Sequence, residues 1–236
     1  MLYGDTSQVT CRSQFPGPQV KSLRYCLGLV TYSTTCYCLH FYYIKGVFYL
    51  GILAQNGISQ TAIREKNDYY ATNPKAMHEL LKYETFNKNI WEPACGEGNL
   101  SEVLKEYGYN VLSTDLIDRG YQDKQVDFLS NTEKFDGDII TNPPFKYTNE
   151  FIKKSLEAIP EGNKVALFLK LNYLSGKKRY EEIYSKFPPY TVYIFSGRMS
   201  CSKNNTPEGY KNGAMDYAWF VWEKGKQGPT EIKWIY

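Results

Sequence analysis

From about residue 63 onward the chain alternates short apolar runs with segments of helical period. Residues 75–83 carry Met77, Leu80 and Leu81 at helical spacing, opened by Asn73 as N-cap and Pro74 at the first helical position. Residues 100–107 place Leu100, Val103, Leu104 and Tyr107 on one face, and Gly108 follows as a suitable C-cap. Two further helices are expected over 149–159 and 178–187. Residues 89–93, 110–114, 138–141, 164–170 and 191–196 read as strands, and 214–223 and 231–236 as two more that form a terminal hairpin. Strand and helix at short intervals predict a doubly wound α/β fold: a mostly parallel sheet, helices on both faces, and an antiparallel C-terminal edge hairpin. In such sheets ligands bind beyond the carboxyl ends of the strands.

Residues 1–60 differ. They hold one acid, Asp5, against Arg12, Lys21, Arg24 and Lys45, which leaves 24 acids and 24 bases in 61–236. The net charge of +3 is too small to identify a nucleic-acid binder, so any such contact needs a local patch. The apolar stretch 25–53 is broken by Thr31, Ser33, Thr34, Thr35, His40 and Lys45, and no eighteen-residue apolar run exists in the chain. We read 1–60 as a poorly defined extension and 61–236 as the working domain; extra structure packed on the domain, or a single membrane anchor, are the other readings. Cys36 and Cys38 with His40 resemble half a zinc site, but no second half follows, and no metal is expected. The cysteines fit reduced thiols in a cytoplasmic protein.

The chemistry concentrates where the predicted strands end. Glu92-Pro93-Ala94-Cys95-Gly96-Glu97-Gly98 is a glycine loop between strand and helix. It lacks the third glycine of a dinucleotide fingerprint, with Ser101 standing there, and no G-K-[ST] follows. Glu92 and Glu97 would repel a pyrophosphate. A cationic ligand without phosphate fits better, and S-adenosylmethionine offers a sulfonium, an ammonium and a ribose diol. Asp115, 23 residues after Glu92 at the end of the next strand, stands where an acid accepts both ribose hydroxyls. Each feature alone has a plain alternative: a common G-x-G, or an acid capping a helix.

Together they resemble a family. The loop 92–98 is similar to the cofactor loop of class I S-adenosylmethionine-dependent methyltransferases, whose fold is Rossmann-like. Asn142-Pro143-Pro144-Phe145 resembles the [DNS]-P-P-[YFW] signature of amino methyltransferases, and Asp68 to Pro74 resembles the upstream segment of adenine-N6 DNA methyltransferases. The order, upstream segment then glycine loop then N-P-P-F, is that of the gamma-type adenine enzymes. The match runs from about residue 67 to 236 and looks closest to small phage and prophage methyltransferases. Two departures stand out: Asn73 separates Thr72 from Pro74, and no large target-recognition domain is present.

The resemblance implies transfer of methyl to the N6 amine of adenine in DNA, with S-adenosylmethionine as cofactor, in a phage or restriction-modification setting. Asn142, Pro143, Pro144 and Phe145 would be catalytic. Tyr70, Thr72, Glu92, Pro93, Ala94, Cys95, Gly96, Gly98, Asp115, Leu116, Asp127 and Phe128 would hold the cofactor. Lys177, Lys178, Arg179, Arg198 and Lys203 are candidates for nucleic-acid contact, although a solvated helix start explains the first three as well. The same acceptors would serve another planar amino group, in an RNA base or a protein glutamine amide. A non-catalytic cofactor-binding partner subunit is the remaining reading, which the intact N-P-P-F disfavours.

Overall fold

The computed structural model describes residues 70–197, 199–202, 205, 210 and 215–236, together with the backbone of three strands in the first 53 residues. The chain divides into two compact units, Met1–Ile63 and Arg64–Tyr236. In the first, β1 (Ser22–Tyr25), β2 (Cys38–Ile44) and β3 (Val47–Leu53) form an antiparallel meander. How well the rest of 1–60 packs lies outside the described residues.

The second unit opens with β4 (Ala71–Thr72) and α1 (Pro74–Leu80). Asn73 caps α1 as its sequence position suggests: its side chain accepts from the Lys75 amide at 3.0 Å. Then come β5 (Asn89–Glu92), α2 (Asn99–Glu106), β6 (Asn110–Asp115), β7 (Lys124–Gln125) and β8 (Asp138–Thr141). They are followed by α3 (Thr148–Ala158), β9 (Lys164–Lys170) and α4 (Lys177–Arg179). The expected helix 178–187 is this single turn, continued by a wider π-type turn over Tyr180–Tyr184. β10 (Thr191–Phe195), β11 (Cys201–Ser202), β12 (Tyr217–Glu223) and β13 (Glu231–Ile235) complete the unit.

Eight of these strands make one sheet, ordered β13-β10-β12-β9-β8-β5-β6-β7. Alternation along β9 divides the core. Val165, Leu167 and Leu169 face Phe151, Ile152 and Leu156 of α3, while Ala166 and Phe168 face Met77 and Leu80 of α1 and Leu100, Val103 and Leu104 of α2. Helices therefore cover both faces, and the sheet is mostly parallel, as expected.

The antiparallel component sits elsewhere than the expected hairpin. β12 lies between β9 and β10, antiparallel to both. β13 pairs parallel to β10 at the sheet edge and does not pair with β12. Both sides of β12 are already occupied, so the following strand must go to the far side of β10. The burial agrees: Tyr217 to Trp222 are all buried, whereas Glu231 to Trp234 are exposed.

At the amino ends of β8 and β9 a polar cluster closes the domain floor. Glu84 is buried and accepts from Lys164 Nζ at 2.6 Å, from the Tyr193 hydroxyl at 2.7 Å and from the Tyr190 hydroxyl. Asp138 accepts from the Asn87 and Lys164 amides at 2.6 and 2.7 Å. Among the described residues no helix is long and apolar enough to cross a membrane.

Candidate functional site

At the opposite, carboxyl ends of β5, β6 and β8 the sheet opens into a cavity of about 750 Å³. Strand register explains the meeting. β6 runs parallel to β5 and ends two residues beyond it, Glu92 standing opposite Ser113, and β8 lies on the other side of β5, so the residues after all three converge. From the glycine loop Glu92, Pro93, Ala94, Cys95 and Gly96 line the cavity; from the end of β6, Asp115 and Leu116; from the loop after β7, Asp127 and Phe128. Asn142, Pro143, Pro144 and Phe145 line it after β8, and Tyr70 and Thr72 before α1.

The glycine loop is held by its own hydrogen bonds. The Cys95 amide donates to the Thr114 carbonyl at 3.0 Å and the Gly98 amide to the Cys95 carbonyl at 2.9 Å. The Gly96 amide donates to Asp115 Oδ2 at 2.9 Å, and Asp115 Oδ1 takes the Ile117 amide at 2.9 Å. Three amides of this turn are thus satisfied within the protein and are not offered to a pyrophosphate. Each Asp115 oxygen keeps a further lone pair for a ligand hydroxyl. Next to it Leu116 is 56% exposed, an apolar side chain at the cavity wall.

Glu92 is buried beneath the loop, where it meets the Ser101 hydroxyl, itself 2.7 Å from Ser113 Oγ. Burial drives its carboxyl up from about 4.5 to about 8, against the hydrogen bonds from Ser101 and with the nearby Asp115 charge adding to the rise. The folded form therefore holds a proton that the unfolded chain has lost, and stability falls as pH rises through this window. A Glu92→Gln variant is expected to lose that slope between pH 5 and 8, worth on the order of a few kcal/mol by linkage; urea titrations across pH measure it. Burial likewise raises the Cys95 thiol to about 12, assisted by Glu92 and Asp115, so Cys95 is a packing residue and no nucleophile.

Gly98 stands at the turn into α2. It is absent from the cavity lining, and its left-handed φ of +86° begins α2. The Tyr121 ring lies on it: a Cβ there would stand 2.3 Å from a ring carbon. Gly98→Ala is expected to cost about 1–2 kcal/mol in left-handed backbone strain alone. It would also push Tyr121 off Lys105 Nζ, now 2.8 Å from its hydroxyl. Chemical denaturation reports the first effect and the NMR signals of a labelled Tyr121 ring the second.

Asp127 serves the cavity wall and a turn together, since its Oδ1 accepts the Leu129 amide at 3.1 Å. Phe128 is chiefly core, edge-on to Trp91 at 5.0 Å and against Phe151 at 5.1 Å.

The N-P-P-F turn is set by its neighbours. Asn142 Nδ2 donates to the Tyr70 carbonyl at 3.2 Å and to Thr72 Oγ1 at 2.9 Å, with Cys201 Sγ at 3.7 Å. A backbone carbonyl only accepts, so the amide end of the side chain is the one that faces Tyr70. The other end, Oδ1, is buried with no hydrogen-bond partner. Phe145 stands between Tyr70 and Tyr217, each 6.1 Å away, with Lys170 Nζ 4.5 Å from its ring centroid. The Tyr147 amide closes the turn on the Pro144 carbonyl at 2.9 Å.

Lys177, Lys178 and Arg179 are not among the residues that line the cavity. Lys177 and Lys178 pair with Glu181 and Glu182, and Arg179 is directed to the carbonyls of Asn172, Tyr173 and Ser175. Arg198 and Lys203 lie outside the described residues. Sequence reasoning missed Asn99, Ile117, Arg119, Lys146, Tyr147 and Phe151, which also line the cavity. Lys146 and Tyr147 directly follow Phe145 and could have been found by extending the motif; Arg119 carries no sequence signal. No group of His, Cys, Asp and Glu suited to a metal is present among the described residues.

No family model matches the sequence, and no curated protein does. Solved structures do resemble it. One is a Listeria monocytogenes protein described as a class I S-adenosylmethionine-dependent methyltransferase, 14% identical over 68% of this chain and 61% of its own, with a TM-score of 0.45. Another is the M protein of the type I restriction enzyme EcoKI, 14% identical over 68% of this chain and 45% of its own, with a TM-score of 0.48. A third is the 16S rRNA N2 G1207 methyltransferase of T. thermophilus in complex with AdoMet and guanosine, 14% identical over 83% of this chain and 52% of its own, with a TM-score of 0.42. This chain spans about three fifths or less of the length of each. Its own strand order, and the cavity beyond the carboxyl ends of the strands, make it a Rossmann-like α/β protein.

Proposed function

We propose that the protein transfers a methyl group from S-adenosylmethionine to the exocyclic N6 amine of adenine in DNA. The observation that carries this reading is the orphaned Oδ1 of Asn142, an acceptor pinned in the cavity wall beside Phe145. An unpartnered buried acceptor is costly, and a ligand donor there removes the cost.

The cavity suits the cofactor. Its volume is in the range that takes ligands of this size. Asp115 offers lone pairs for a ribose diol, Leu116 an apolar surface for an adenine ring, and Glu92 a carboxyl that ionises when an ammonium approaches. When bound, S-adenosylmethionine supplies an electrophilic methyl on a sulfonium.

The protein's own groups prepare the acceptor. The N6 lone pair is delocalised into the adenine ring. Asn142 Oδ1 and the Pro143 carbonyl accept the two amino hydrogens, which favours the pyramidal, nucleophilic nitrogen. Two prolines restrict the backbone, so these acceptors need little reorganisation. Phe145 offers a face for the base, a stack worth about 1–3 kcal/mol. Positioning supplies much of the rate, and the nitrogen's surplus proton leaves to solvent. In a duplex the base must first leave the stack. Lys146 and Lys170 beside Phe145 favour a polyanion over a protein amide as the acceptor.

The test is incubation of the protein with methyl-labelled S-adenosylmethionine and separate pools of DNA, RNA and cell protein. Label recovered as N6-methyladenine in DNA supports the proposal. Label in RNA or protein keeps the chemistry and moves the acceptor. Cofactor binding with no transfer to any pool overturns it in favour of a non-catalytic binding subunit.

A further inference from the structure

We propose that Thr72 is a positioning residue for Asn142: its hydroxyl, together with the Tyr70 carbonyl, holds the amide nitrogen of the carboxamide and leaves its oxygen for the acceptor. Its place in the upstream segment suggests a cofactor contact instead. The inference rests on the methyl-transfer reading and deepens it.

Thr72 is 4% exposed, and its Oγ1 lies 2.9 Å from Asn142 Nδ2. Cys201 Sγ lies 3.7 Å from the same nitrogen. Towards Asn142 the Thr72 hydroxyl is an acceptor, because an amide nitrogen only donates. A second acceptor, the Tyr70 carbonyl, stands 3.2 Å from the same nitrogen. An amide nitrogen has two hydrogens and accepts nothing, so these two partners use it fully. Rotating the carboxamide by half a turn would set Oδ1 against the Tyr70 carbonyl and give up both hydrogen bonds of Nδ2.

The frame that holds Thr72 is built from distant parts of the chain. β4 pairs with β11, so that Thr72 is opposite Cys201. The Thr72 carbonyl takes the Tyr210 hydroxyl at 3.4 Å. Thr72 is thus fixed on its backbone, and its hydroxyl spends a lone pair on Asn142.

The experiment compares wild type, Thr72→Val, Thr72→Ser and the double variant Thr72→Val/Asn142→Ala. Three quantities are read: kcat on unmethylated DNA, the S-adenosylmethionine Kd by calorimetry, and hydrogen exchange of the Asn142 side-chain amide by NMR. Thr72→Val is expected to lower kcat about tenfold, the worth of one positioning hydrogen bond, to leave Kd unchanged and to speed amide exchange. Thr72→Ser restores most of kcat, and Thr72→Val adds nothing in the Asn142→Ala background. An unchanged kcat in Thr72→Val, a raised Kd with kcat intact, wild-type amide exchange, or an additive double variant each overturns the proposal. If the wild type methylates no acceptor while the amide is protected and Thr72→Val releases it, the positioning role stands and the methyl-transfer reading falls.

Discussion

Asn142→Ala is expected to lower kcat for methyl transfer by about 10²–10³-fold, the usual effect of removing one pre-organised hydrogen-bonding group from a transition state. Affinity for S-adenosylmethionine should hardly change, because in the proposed reaction Asn142 holds the acceptor while Asp115 and Leu116 hold the cofactor. A fall in kcat with the cofactor Kd preserved is the signature of an interaction made in the transition state. Asn142→Asp separates charge from geometry. The carboxylate keeps an acceptor towards the amine but presents a second oxygen to the Tyr70 carbonyl, where Nδ2 now donates at 3.2 Å. It should be partly active, and more so as pH falls and the carboxyl regains a proton. Loss of cofactor binding in either variant would place Asn142 on the cofactor instead.

The second large effect concerns stability. Glu84→Ala should cost about 3–5 kcal/mol, as expected when one partner of a buried charge pair is removed, and lower the melting temperature on the order of 10 °C. Lys164 would keep its charge with its side chain only 19% exposed, and Tyr190 and Tyr193 would lose their acceptor. Burial alone would raise the Glu84 carboxyl, but the hydrogen bonds from Lys164, Tyr190 and Tyr193 outweigh it and hold the pKa below its ordinary value. The sign follows: the stabilisation is complete above the unfolded value near 4.5 and is lost as pH falls through the folded one. Thermal melts of wild type and variant should therefore converge in acid. Parallel curves at every pH would mean that packing, and not the carboxylate, carries the effect.

The readable parts of the chain were those where chemistry and strand ends coincide. Glu92–Gly98, Asp115 and Asn142–Phe145 each follow an apolar run, and parallel pairing puts such positions side by side. What escaped were features without local period. β4 and β11 are two residues each, and their partners lie more than a hundred positions apart. The role of Thr72 depends on that pairing and could not be read without it. The false hairpin had a signal that was passed over: Tyr217–Trp222 is apolar without alternation, the mark of a strand buried on both faces and flanked on both sides. Gly98 lies against the Tyr121 ring, and a glycine that admits a ligand and one that admits a tyrosine ring look alike in sequence.

The insertion of β12 between β9 and β10 has a consequence for how the protein is made. Both neighbours are synthesised first, and neither can pair with the other in the finished sheet. Until residues 217–223 leave the ribosome the nascent sheet has a slot, with the bare edges of β9 and β10 facing it. Those edges carry Phe168, Leu169, Val192 and Tyr193, a template for pairing with another chain. Nascent chains stalled just before β12 should therefore be the species that chaperones hold, and the step that completes the sheet should be late and slow.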